Sequence, residues 1–104
     1  MGVFRVRNTH SGKSLVGAAT NLPAMLNRQR AQLETGLHPN RALQADWNAF
    51  GADAFAFEVV DTLTWPEDRP EYDPAEDLRQ LEAMWLEKLS PFDDAGYNTR
   101  RRQR

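Results

Sequence analysis

A chain of 104 residues with 40% hydrophobic and 27% charged side chains is sized and composed for one globular domain with one modest core. It has no cysteine, which excludes disulfides and thiolate metal sites, and no apolar run near the roughly 18–20 residues of a membrane helix, which excludes a spanning segment. The formal net charge of −2 is unevenly spread: residues 1–50 carry six basic and two acidic groups, residues 51–99 three basic and thirteen acidic, and residues 100–104 four arginines.

The first element is a strand over residues 2–7. Arg5 and Arg7 share one face with Val3, while Phe4 and Val6 share the other. The arginines interrupt the apolar stretch, so it does not read as a signal peptide, and a cytoplasmic location is expected. Asn8-Thr9-His10-Ser11-Gly12-Lys13 is turn chemistry, and residues 14–18 form the second strand of a hairpin. Gly17-Ala18-Ala19 leaves room for close approach by a backbone or ligand.

Thr20-Asn21-Leu22-Pro23 marks a helix start, and Gly36 suits the cap that ends it, giving a first helix over about 21–35. Leu22, Met25, Leu26, Gln29 and Leu33 share one of its faces. Leu37-His38-Pro39-Asn40 is a linker. A second helix over about 40–50 carries the stripe Leu43, Trp47 and Phe50, and Gly51 ends it. Residues 53–63 switch to strand period, with Phe55, Phe57 and Val59 alternating. Residues 64–73 form an acidic, proline-containing irregular loop. Asp73-Pro74 opens a third helix over about 74–89, Asp73 as cap and Pro74 at the first helical position. Leu78, Leu81, Met84, Trp85 and Leu89 make its buried face, with Glu82 at the edge. The fold class is therefore α+β: a small three-stranded mixed or antiparallel sheet flanked by three helices in the order β-β-α-α-β-α. Residues 1–98 form the single domain, and 99–104 a disordered basic tail.

This layout resembles the GIY-YIG nuclease family. Gly2-Val3-Phe4 stands where that family has Gly-Ile-Tyr, and Leu15-Val16-Gly17 where it has Tyr-Ile-Gly. Gly36 to Gln44, with Trp47-Asn48 and Phe50-Gly51, is similar to the second-helix region of homing-endonuclease members, and Phe55 to Val60 to their third strand. Leu81-Glu82-Ala83-Met84-Trp85 resembles the acidic motif of the last helix, and Gly96-Tyr97-Asn98 the closing Gly-Tyr-Asn. The resemblance implies metal-dependent phosphodiester cleavage of DNA, with Mg²⁺ or Mn²⁺ held by Glu82 and water and phosphate handled by two hairpin tyrosines and a first-helix arginine. Here Phe4, Leu15 and Met25 occupy the positions of those three groups, and Gln29 that of a histidine found in some members. Glu82, His38 and Asn98 remain.

The residues themselves leave each role open. Glu82 is a hard oxygen ligand suited to Mg²⁺ or Mn²⁺, or a helix-edge carboxylate paired with a hairpin arginine. His38, with an ordinary pKa of about 6.5, can replace the missing base, or is a loop histidine. Arg28 lies one turn beyond Met25 and can reach the same phosphate, or sits on a solvated face. Lys13, Arg28, Arg30, Arg41 and Asn98 are candidate nucleic-acid contacts, with structural bracing the alternative for Asn98. The leading expectation is a nucleic-acid-binding domain with a degenerate catalytic site. An active endonuclease using Glu82, Arg28 and His38 is the second, and a protein-interaction module with the acidic segment 64–77 as its surface is the third.

Overall fold

The computed structural model describes residues 1–64, 73–92 and 95–98. Its elements are β1 (Gly2–Asn8), β2 (Ser14–Ala19), α1 (Leu22–Thr35), α2 (Arg41–Phe50), β3 (Phe55–Thr62) and α3 (Ala75–Leu89), with a short 3₁₀ turn at Ala52–Ala54. The sheet order is β2-β1-β3, and both pairings are antiparallel, which resolves the mixed-or-antiparallel expectation. Residues 65–72 of the expected acidic loop, and the expected tail at 99–104, lie outside the described residues.

The hairpin turn closes as its residues dictate. Asn8 Oδ1 accepts the backbone N–H groups of His10 and Ser11. Gly12 adopts φ +80, where a side chain would be strained, and its N–H reaches Asn8 O at 2.8 Å. Register then pairs Phe4 with Gly17 and Val6 with Leu15 on one face, and Val3 with Ala18 and Arg5 with Val16 on the other.

The first face carries the core. Phe4, Val6, Leu22, Leu33, Leu43, Trp47, Phe55 and Tyr97 form one buried cluster, supplied by the sheet, α1, α2 and the closing segment. Asn21 caps α1 by accepting from Ala24 N–H, and Asn40 caps α2 by accepting from Leu43 N–H. The opposite face is covered by α3, which packs on β1 and β2 and is tied to β3 by Trp85 Nε1–H donating to Asp61 Oδ2 at 3.0 Å. On the same face, Arg5 and Arg7 both converge on Glu58, at 2.9 and 3.0 Å. Arg7's hydrogen bonds are the main reason the Glu58 carboxyl lies below its usual pKa.

Four sequence expectations need correction. No residue of α3 is fully buried, and Met84 is 48% exposed, so the apolar stripe of this helix is a half-covered surface. Phe50 is 47% exposed and stacks on His10, with ring centroids 5.6 Å apart, instead of joining the core beside Trp47. The third strand begins at Phe55, because residues 52–54 make the 3₁₀ turn. Pro74 takes the cap position of α3, while Asp73 still serves that end by accepting from Ala75 N–H. For α3 and Phe50 the apolar spacing is that of a core face, but a small domain offers little partner surface to bury it; the other two differences are shifts of one or two residues at element ends.

These burial differences set a contrast measurable by urea denaturation. Leu43→Ala, at a fully buried position, lowers the unfolding free energy by about 2–5 kcal/mol. Met84→Ala stays within about 0.5–1 kcal/mol of the parent.

Candidate functional site at the edge of β2

β2 is an edge strand, and its outer backbone groups need partners. The closing segment supplies them. Tyr97 N–H donates to Ser14 O at 2.8 Å, and the Asn98 side chain both accepts from Val16 N–H and donates to Val16 O, each at 2.8 Å. Asn98 is thus engaged on both sides of its amide in holding β2. Tyr97 itself is 3% exposed. Its hydroxyl donates to Asp46 Oδ2 at 2.7 Å and accepts from Asn8 Nδ2 at 3.2 Å, and its carbonyl accepts from Asn40 Nδ2 at 2.7 Å. Burial, with the bond to Asp46 second, pushes the hydroxyl pKa up to about 12.

Held this way, β2 runs on into the strip Ala18–Thr20, which has a hollow on each side. One, of about 300 Å³, is lined by Met1, Ala18, Thr20, Asp73, Pro74, Ala75, Leu78, Arg79 and Glu82. The other, of about 390 Å³, is lined by Ala18, Ala19, Thr20, Asn21, Ala24, Met25 and Arg28. The fold therefore brings Glu82 from α3 and Arg28 from α1 to hollows that share Ala18 and Thr20. The half-buried Glu82 makes no hydrogen bond or ion pair among the described residues, and the hairpin arginines that were candidates to neutralise it are held by Glu58. Asp73, which the sequence reading placed only as a helix cap, lines the Glu82 hollow as well.

His38 is not in either hollow. It lines a third, with Leu15, Gln29, Asn40, Arg41 and Tyr97, and is 7% exposed. Its Nδ1 accepts from Asn40 N–H at 3.0 Å, which leaves the ring proton on Nε2, 2.5 Å from Gln29 Oε1. Its backbone N–H donates to Gln44 Oε1. Both ring nitrogens are thus occupied in joining α1 to the start of α2, and burial lowers the His38 pKa from its ordinary value of 6.5.

The three hydrocarbon positions sit as follows. The Phe4 ring is buried over Gly17, so closely that a Cβ there would lie 2.9 Å from its Cζ. Leu15 packs against the core and faces the His38 hollow. Met25 packs against the core and lines the Arg28 hollow, its sulfur accepting from Gln29 Nε2 at 3.5 Å. Among the other candidate contacts, Arg30 lies over the Phe57 ring, 4.4 Å from its centroid. Arg41 is exposed in the first turn of α2, and Lys13 closes the hairpin turn, its backbone carbonyl accepting from Asn8 N–H. The Tyr97–Asp46–Asn8 network was missed in sequence, because its members lie 51 and 89 residues apart and no local pattern links them.

A three-stranded antiparallel sheet with two helices on one face, a third on the other and a glutamate beside the hairpin edge is the GIY-YIG nuclease fold. The backbone is similar to the catalytic domain of the homing endonuclease I-TevI, with a TM-score of 0.73 and 25% identity over 93% of this chain and 95% of that one. It is equally similar to the catalytic domain of the intron endonuclease I-TevI in a mutant form, with a TM-score of 0.72 and 24% identity over 93% of this chain and 90% of that one. No family profile and no curated protein matches the sequence.

Because His38 binds its proton less readily when folded than when unfolded, its contribution to stability is full above pH 6.5 and lost as pH falls below that value toward the lowered one. Urea midpoints should therefore drop on acidification from pH 7 to 5, and the drop should shrink in His38→Gln. In the same assay, Tyr97→Phe costs about 1–3 kcal/mol by leaving Asp46 and Asn8 without their shared partner.

Proposed function

We propose that this chain is a nucleic-acid-binding domain on a nuclease fold whose hydrolytic centre is degenerate. The observation that carries this reading is the set of groups around the Ala18–Thr20 strip. Phosphodiester hydrolysis needs a base for water, charge stabilisation of the phosphate and help for the leaving oxygen. The described residues lining the two hollows include the Glu82 and Asp73 carboxylates with Arg79 on the α3 side and Arg28 on the α1 side, and no imidazole or phenol stands among them. Phe4, Leu15 and Met25 offer only hydrocarbon or thioether, and the His38 lone pair is occupied elsewhere.

The carboxylates fit a divalent cation of the Mg²⁺ type, which keeps several waters and takes further oxygens from phosphate. Among the described residues no group of three metal-ligating side chains exists, so an all-protein cage is not the arrangement that fits. Glu82 would hold the ion, which when bound would neutralise phosphate charge and acidify water. Arg28 would orient the phosphate from the opposite side of the strip. Arg41, Lys13 and Arg30 would add contacts to the backbone of DNA, independent of sequence.

A second reading is favoured by the same geometry. Glu82 and Arg28 flank one strip from two helices, as an active endonuclease with a rearranged site requires. A cleavage assay on plasmid, branched and single-stranded DNA with Mg²⁺ or Mn²⁺ separates the two. The expected outcome is retention of DNA at low salt, weakening steeply as salt rises, with no turnover. Turnover that disappears in both Glu82→Ala and Arg28→Ala establishes the active enzyme instead. Absence of any DNA retention at low salt overturns both readings and leaves the protein-interaction module.

A further inference from the structure

The sheet has two edges, and they differ. At β2 the outward backbone groups are taken, with Asn98 meeting both the N–H and the C=O of Val16. In an antiparallel ladder the N–H and C=O of one residue point to the same side, and that side alternates along the strand. Val16 therefore points away from β1, its partner Arg5 points toward β3, and Glu58 opposite Arg5 points back at β1. Phe57 and Val59 in turn direct their N–H and C=O groups to the outer edge of β3. Among the described residues nothing bonds to those groups. On the same edge the Phe55 N–H is held by Ala52 O, which leaves the Phe55 carbonyl. The Val59 side chain is 49% exposed.

An open edge of this kind is a template for another strand. Phe55-Ala56-Phe57-Glu58-Val59 matches a second copy of itself, run antiparallel about a two-fold axis at Phe57. On the α1 and α2 face, Phe57 then meets Phe57 of the second copy, and the exposed Val59 meets its Phe55. On the α3 face, each Glu58 meets the small Ala56 of the other copy, whose neighbour on β1 is Arg7. No like charges stand directly opposite one another. Moving the axis to Glu58 would set two carboxylates face to face, which disfavours that register. The axis at Phe57 does bring the two Arg30 heads, each 4.4 Å from its own Phe57 ring centroid, to the same side, a repulsion that salt screens.

We propose that the outer edge of β3 is a self-association surface that joins two copies of this chain through one continuous sheet. The paired Phe57 residues exchange both of their N–H and C=O groups, and each Val59 N–H donates to the Phe55 carbonyl of the other copy. The shift of register between Val3 and Phe4 breaks the regular ladder beyond Val59, which confines the pairing to residues 55–59. The clasp on β2 stops the joined sheet at both ends, so the assembly closes at two copies. The inference does not depend on the nucleic-acid reading, since DNA retention tests that one and association of the protein alone tests this one.

Sedimentation equilibrium of the full chain at moderate salt should show monomer passing to dimer, and nothing larger, between dilute and near-millimolar protein. Over the same range, amide hydrogen exchange at Phe57 and Val59 should slow by about tenfold or more, while Glu58, bonded within the sheet, stays protected throughout. Val59→Lys, at an exposed position, should leave the protein monomeric at concentrations where the parent is a dimer. A chain that is still monomeric at near-millimolar concentration overturns the proposal. So does a dimer whose Phe57 and Val59 amides exchange as fast as in dilute solution, one that Val59→Lys leaves undiminished, or growth beyond two copies. Should Val59→Lys fail to fold, the exchange rates of the parent chain decide the matter alone.

Discussion

The arrangement depends on how an edge strand is kept at an edge. β2 borders the candidate site, so covering it with another full strand would close the site, and leaving it bare would invite pairing with another chain. One side chain meets both demands. The Asn98 amide presents a donor and an acceptor to the N–H and C=O of Val16 and so imitates one residue of a neighbouring strand. Tyr97 anchors that imitation to the interior through Asp46, Asn8 and Asn40, which belong to α2, the hairpin and the α2 cap. Three separate parts of the chain, the hairpin, α2 with its cap and the closing segment, are therefore fixed relative to one another by groups whose unpaired burial would be costly. The strip Ala18–Thr20, two residues beyond the clasp, inherits its position from them.

Around that strip the chemistry is divided in space. Arg28 comes from α1 and stands alone among the charged lining residues of its hollow, while α3 and its lead-in bring Asp73, Glu82 and Arg79 to the other, with small residues between. Histidine chemistry is absent from both, because His38 is used as a joint: it receives a backbone N–H on one ring nitrogen and holds Gln29 with the other. A residue that is both buried and fully hydrogen-bonded serves packing well and proton transfer poorly. Phe4 illustrates the same trade. Its ring gains complete burial over Gly17, where a hydroxyl-bearing ring would need a polar partner.

The fold was legible because its signals were local. Asn21 and Asn40 before apolar periodicity, Gly12 in the hairpin turn and the change of period at Phe55 each act within a few residues, and the elements start and stop within two residues of where those signals put them. Burial was less legible. The stripe on α3 has the spacing of a core face, but whether such a stripe meets a partner depends on how much sheet is left to cover, which spacing does not encode. The same holds for Phe50, whose neighbour turned out to be His10 from a turn 40 residues away. Of the site, Glu82 and Arg28 could be singled out from their helices, but their meeting at one strip could not, since it is created by the clasp on β2. Asp73 was readable only as a cap, because helix starts and ligand positions use the same residue types.

Glu82 also constrains what can approach. A carboxylate about 5 Å from a phosphate oxygen opposes it by about 0.8 kcal/mol if the gap behaves as bulk water, and by about 3 kcal/mol at the effective dielectric of a protein surface. Arg28, which lines the other hollow, would attract the same phosphate, so its pull opposes that repulsion. The balance is tipped by whatever neutralises Glu82. On the proposed nucleic-acid reading, a cation held by Glu82 would remove that repulsion and leave the attraction of Arg28 unopposed. On the proposed nucleic-acid reading, phosphate recognition at this edge would need a second positive partner, because Glu58 holds both hairpin arginines.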